Sequence, residues 1–257
     1  MNQSGFNSTN FGARGFLSKE QVQKELSDVD LIWICTTPEL QLKCVKKILE
    51  IAKAKILIEK PVGLDLQINS EIKSLIEGND NVFISRPWSF SKLWKDFLAD
   101  IVHQGDLTGL EVKHFGEITR DFMAPPQDWL HHDLCLLEEI ISLYKYKRID
   151  FQIHWSSNRD TLKILGEGDM SIEINGGFSE NRKSHISLTF QNETKLVLDL
   201  NEKTYSRIEI ENELETFEFE TNDSIPTMVD YFMNLRTNLS DREKEINILN
   251  RLQLLST

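Results

Sequence analysis

The chain has 257 residues, 40% hydrophobic and 27% charged, with a formal net charge of −12; that is room for two modest domains, and a globular rather than a disordered composition. The negative charge repels phosphate backbones and no Lys/Arg-rich stripe offsets it, so no nucleic acid is expected as a partner. Cys35, Cys44 and Cys135 lack paired spacing and suit reduced thiols, the apolar runs are too short to span a bilayer, and MNQSGFNSTN has no signal-peptide character, so a cytoplasmic protein without a membrane segment is expected.

In chain order, NFGARG (10 to 15) reads as a loop, because no apolar strand precedes it. VDLIWIC (29 to 35) reads as a buried strand. LQLKCVKKILEIA follows with Leu42, Val45, Ile48, Leu49 and Ala52 at helical spacing, and KILI (55 to 58) is the next buried strand. The helix LDLQINSEIKSLIEG closes at Gly78, NVFIS is a third strand, and SKLWKDFLADIVHQG is a helix ending at Gly105. Strand, helix, strand in this order implies a parallel sheet, since each return crosses over through a helix.

After Asp106 the period changes to two. LEVKHFGEI (110 to 118), SIEI (171 to 174), HISLTF (185 to 190), KLVLDL (195 to 200), SRIEI (206 to 210) and FEFE (217 to 220) alternate apolar with polar residues, with GEGD and QNET as turn signals. An antiparallel sheet with one buried side is expected, covered by helices at 129 to 144 and 226 to 256, its other face solvated or a subunit contact. The expected fold is α/β plus α+β: an incomplete Rossmann-like domain over 1–104, then an open-faced antiparallel sheet domain over 105–257.

Ligands of open parallel sheets bind beyond the carboxyl ends of the strands. One such end here leads into Thr36, Thr37 and Pro38, another into Glu59, Lys60 and Pro61. Pro38 would open a helix and leave two hydroxyls and free amides facing the crevice. A partly buried lysine at that edge suits proton transfer near neutral pH; a solvated Glu59/Lys60 pair beside a turn proline is the plain alternative.

In PPQDWLHHDLCLLEEIISLYK, Asp128 is expected to cap a helix starting at Trp129. Leu130, Leu134, Leu137, Ile141 and Tyr144 form its apolar stripe, with Asp128 and His132 together on roughly the opposite face. A carboxylate beside an imidazole is a workable acid/base pair, and a capping aspartate with an exposed histidine is the alternative. His131 and Cys135, four apart, make a weak zinc signal without further ligands, and no metal is expected.

Taken together, VDLIWICTTP, KILIEKPVG and DWLHHDL resemble the Gfo/Idh/MocA family of NAD(P)-dependent sugar oxidoreductases, from about Ser18 to the C-terminus. The resemblance implies a Rossmann domain followed by an open-faced sheet domain, and NAD or NADP as cofactor. It implies a sugar, cyclitol or nucleotide-sugar substrate, and a homo-oligomer through the open sheet face. Lys60, Asp128 and His132 match the family's catalytic positions, the histidine accepting the hydroxyl proton while lysine holds the oxygen. Thr36, Thr37, Pro38, Glu59, Lys60 and Pro61 match cofactor-contacting positions, and Arg86 and Trp88 in SRPWSF lie where the family's chain crosses between domains.

The sequence departs from the family pattern in two places. The strand and G-x-G-x-x-G turn that make the pyrophosphate site are not found ahead of Val29, and Glu39, Leu40, Gln41 and Leu42 stand where a histidine is usual. A cofactor-free pseudoenzyme or truncated relative that binds a carbohydrate or protein partner is the alternative expectation.

Overall fold

The computed structural model describes residues 19–62, 66–117, 125–145, 149–158, 160–209, 212–218, 224–234 and 239–255. After helix α1 (Lys19–Leu26), strands β1 (Leu31–Ile34), β2 (Lys55–Ile58) and β3 (Val82–Ile84) form a parallel sheet in that order. The crossovers are α2 (Pro38–Leu49) and α3 (Leu66–Gly78), so both helices and all three strands stand where the apolar periods put them.

A buried parallel sheet is apolar on both faces and needs cover on both. Ile56, Ile58, Val82 and Ile84 point to one side, where Val45 of α2 and Ile72 and Ile76 of α3 meet them. Leu57 and Phe83 point to the other, and their cover comes from far along the chain: Met228 and Phe232 of α6 (Ser224–Asn234), with Phe90 from a short 3-10 helix, Pro87–Phe90. Lys55 fastens α6 by donating from Nζ to the carbonyls of Phe232 (2.8 Å) and Met233 (3.0 Å), the last turn of the helix.

The second sheet has eight strands: β4 (Leu107–Gly116), β5 (Ile149–Trp155), β6 (Thr161–Gly168), β7 (Ser171–Phe178), β8 (Lys183–Phe190), β9 (Lys195–Asp199), β10 (Thr204–Glu209) and β11 (Asn212–Glu218). Their spatial order is β11-β10-β9-β8-β4-β7-β6-β5. Every pairing is antiparallel except β4 with β7. That exception to the expected pattern is forced: β4 lies between the arms of the β7–β8 hairpin, and it can be antiparallel to only one of them. The link 179–182 rounds the end of β4, where the Ser179 N–H donates to the Gly116 carbonyl at 2.9 Å.

Strands β5 and β6 were not among those expected. IDFQIHW does alternate, but it forms the sheet edge, where its apolar residues are only half-buried. On the open face, Lys113 pairs with Glu111 (2.6 Å) and Lys163 with Glu173 (2.8 Å), both half-exposed.

The cover of this sheet differs from the expectation as well. Helix α4 (Lys92–Ile101) lays Trp94, Phe97 and Ile101 on it, and α5 (Pro125–Tyr144) lies alongside. The segment expected as one helix at 226 to 256 is two. Of these, α6 serves the first sheet, and α7 (Leu239–Leu255) inserts between α3 and α5. Adjacent residues of α7 serve different cores, Ile248 the second and Leu249 the first, and Glu245 accepts from the Ile84 N–H at 3.2 Å.

Leu249→Ala should therefore cost about 2–5 kcal/mol, as for other fully buried leucines, in a single unfolding transition. Urea unfolding followed by both tryptophan emission and circular dichroism checks this. Two resolved transitions would contradict a helix that ties both cores together.

Candidate functional site

Register brings the strand ends into one row, because Ile34 pairs with Ile58 and Ile58 with Ile84. The residues that follow therefore leave the sheet at one level. After β1, Thr36 and Thr37 are exposed, and Thr37 occupies the N-cap of α2 without a side-chain cap bond, with buried Pro38 opening the helix. After β2, Glu59 is held by two bonds: its carboxylate accepts from Trp33 Nε1 at 2.9 Å, and its carbonyl accepts from the buried Gln41 amide at 2.5 Å. Lys60 is half-buried, its bond to Pro61 is cis, and Pro61 and Val62 are buried.

Arg86 and Trp88, after β3, are drawn into the seam between the sheets. Arg86 is buried, with its guanidinium 3.7 Å from the Glu139 carboxylate of α5 and over the Phe90 ring at 5.7 Å. Glu139 also accepts from Trp94 Nε1 at 2.6 Å. Trp88 packs against the second core.

Helix α5 starts at Pro125, three residues before the expected cap, which puts Asp128 in the first turn; its side chain lies outside the described residues. His132 does not face solvent as the polar side of the stripe implied. From Leu130 to Glu138 every residue is buried, because the second sheet lies against one side of α5 while α7 and the Pro87–Phe90 turn lie against others. A helix enclosed all round has no solvent face for its polar residues.

Each polar residue is accommodated in its own way. Glu138 accepts from Asn247 (2.8 Å) and from Arg251 Nε (3.0 Å). Asp133 lies 3.0 Å from His114 Nδ1 of β4, and the His114 ring stacks on Trp129 at 5.1 Å and 8°. Among the described residues, neither nitrogen of His131 has a hydrogen-bond partner, nor does His132 Nδ1. The His114–Asp133 pair was not anticipated. Its signal is in LEVKHFG, where alternation puts His114 on the apolar face with Val112.

Burial and positive neighbours keep both α5 imidazoles uncharged. The His131 pKa is pushed down to about 3, by burial first and the Lys60 charge second. His132 lies well below the ordinary range, through burial first, then Lys60, His131, His114 and Arg182. Burial likewise raises the Cys135 thiol above its usual range. Among the described residues no three His, Cys, Asp or Glu side chains are grouped to hold a metal ion, and no helix is long and apolar enough to cross a membrane.

Residues 2–86 match the sequence model of the Gfo/Idh/MocA oxidoreductase family, NAD-binding Rossmann fold. Among solved structures, UDP-N-acetylglucosamine 3-dehydrogenase GnnA from Acidithiobacillus ferrooxidans is similar with TM-score 0.74 and 15% identity, over 95% of this chain and 81% of that one. A Gfo/Idh/MocA family oxidoreductase from Vibrio cholerae gives TM-score 0.63 and 12% identity, over 93% and 83%. This chain has the Gfo/Idh/MocA fold. The super-repressor mutant of Gal80p from Saccharomyces cerevisiae is also similar, with TM-score 0.73 and 14% identity over 94% and 80%. No curated protein is significantly similar in sequence. The Gfo/Idh/MocA match starts at residue 2, upstream of the Ser18 start read from the motifs, and runs through the row of strand ends.

The buried histidines set a pH dependence. Unfolded, His131 protonates near 6.5; folded, it stays neutral down to about 3. As pH falls through that window the unfolded state binds more protons, so stability is complete above the unfolded pKa and declines below it, by up to about 1.4 kcal/mol per pH unit for each such histidine. Comparison of urea midpoints at about pH 7 and about pH 5 should show this loss, and His131→Leu should flatten it. An unchanged slope in that variant would contradict the assignment.

Proposed function

We propose that the protein is an NAD(P)-dependent oxidoreductase that moves hydride at a hydroxyl or keto carbon of a sugar, cyclitol or nucleotide-linked sugar. One observation carries the reading: the strand end that bears Lys60 is level with the end of β3, from which Arg86 reaches Glu139 of α5, the helix that carries His131 and His132. Residues 1–104 then carry the cofactor side and 105–257 the substrate side.

The residues present suit a dinucleotide. The Thr36 and Thr37 side chains are exposed at the first turn of α2, where helix amides and dipole favour an anion. Thr36, Thr37, Pro38, Glu59, Lys60 and Pro61 would hold the cofactor, with Arg86 and Trp88 behind them. When bound, NAD(P) supplies the hydride acceptor. A neutral His132 imidazole can take the hydroxyl proton, which a protonated ring could not do. The Lys60 ammonium donates to the substrate oxygen and steadies the negative charge that grows there as the proton leaves. By the family resemblance, Asp128, one turn ahead of His132, would orient the imidazole and favour its charged form once the proton has arrived. The bond from the Gln41 amide to the Glu59 carbonyl holds the backbone from which Lys60 extends.

Likeness to a Gal80p super-repressor favours a second reading, a cofactor-free protein that binds a carbohydrate or a protein partner. Titration of NADH by fluorescence separates the two: the oxidoreductase binds it at or below about 1 mM, within the usual enzyme range. Lys60→Met and His132→Asn should each retain the fold and lower turnover by about 10²–10⁴-fold. A folded protein that ignores NADH would leave the second reading.

A further inference from the structure

The oxidoreductase reading leaves unused a pair of side chains that converge on one glycine. Gly116, the last residue of β4, has no side chain, and a Cβ placed there would lie 3.2 Å from Trp129 Cζ2 and 3.8 Å from Arg182 Cγ. The indole of Trp129 and the stem of Arg182 therefore share the space above one bare backbone position, at the end of β4 where the link 179–182 passes.

The indole and the backbone that carries Arg182 are both held from behind. The Trp129 ring stacks on His114, which the buried Asp133 carboxylate fixes at 3.0 Å. The Arg182 carbonyl accepts from the Asn201 amide at 3.3 Å, and the Ser179–Gly116 bond ties its link to the sheet. The two heads stay accessible, the indole half-buried and Arg182 exposed. Although the chain carries a net charge of −12, no acidic side chain among the described residues forms an ion pair with Arg182.

Trp129 is three residues before His132 on α5, and the charge of Arg182 is felt at that imidazole together with that of Lys60. A flat apolar ring beside a planar, permanently charged fork matches a sugar ring that carries an oxyanion. We propose that Trp129 and Arg182 form a subsite selecting substrates with an anionic substituent, a phosphate or a carboxylate, next to the carbon that reacts. The proposal rests on the oxidoreductase reading for its location and specifies the substrate class.

The test is a binding panel on the full chain: a neutral hexose, its phosphate, its uronate and its UDP-linked form, measured by calorimetry at low and high salt. At about 50 mM salt an anionic member should bind about tenfold tighter than the neutral hexose, and at about 500 mM the gap should narrow. Preference for the phosphate and UDP-linked members identifies a phosphate site; preference for the uronate identifies a carboxylate site. Arg182→Gln should abolish the gap without shifting the neutral hexose or the thermal midpoint. The proposal is overturned if no member binds, if neutral and anionic members bind alike, or if Arg182→Gln keeps the preference. NADH titration of the same samples reports separately on the redox reading, which can fail while the anion preference stands.

Discussion

The structure depends on enclosing a polar helix. Helix α5 is wrapped by the second sheet, by α7 and by the Pro87–Phe90 turn, yet it carries His131, His132, Asp133, Glu138 and Glu139. A buried charge must find a partner or be neutralised. The two glutamates find cations, Glu138 meeting Arg251 and Glu139 meeting Arg86. Asp133 takes His114. The two histidines pair with no acidic side chain among the described residues, and burial keeps them neutral, with the Lys60 ammonium reinforcing the effect. The same enclosure that stabilises the helix thus prepares an unprotonated imidazole beside a cation.

The partners of those buried groups decide how the halves are joined. Arg86 arrives from the end of β3, and Asn247 and Arg251 arrive from α7, whose Leu249 is already committed to the first sheet. The proposed site between the sheets is positioned by the same contacts that hold the sheets together. Cover is exchanged across the seam: α4 follows β3 in the chain but packs on the second sheet, whereas α6 follows the second sheet and packs on the first.

Much of the fold was legible in the sequence, and the exceptions have physical causes. Continuous apolar runs identified β1, β2 and β3, and alternation identified most of the second sheet, because each reflects which faces are buried. Edge strands were harder: in β5, Ile149, Phe151 and Ile153 are half-buried, so the contrast between faces is weak. The destination of α6 and α7 could not be read, since an amphipathic helix states that it has an apolar face but not which surface receives it. Lys60 and His132 were singled out as candidates because their flanking residues are distinctive in series. His132 was placed opposite the apolar stripe, where it is in fact buried, since helical spacing shows one neighbouring surface and α5 has several. His114 and Arg182 were passed over because their partners, Asp133 and the Gly116–Trp129 contact, are distant in sequence.

The central claim is electrostatic, that the ammonium of Lys60 and the imidazole of His132 share one enclosed space. Nitrogen-detected NMR titration of the His132 ring, in the wild-type chain and in Lys60→Met, tests it directly. The account predicts a ring that remains neutral well below the ordinary histidine range, and a pKa that rises when the lysine charge is removed. A His132 that titrates at the ordinary value and is indifferent to Lys60→Met would contradict it.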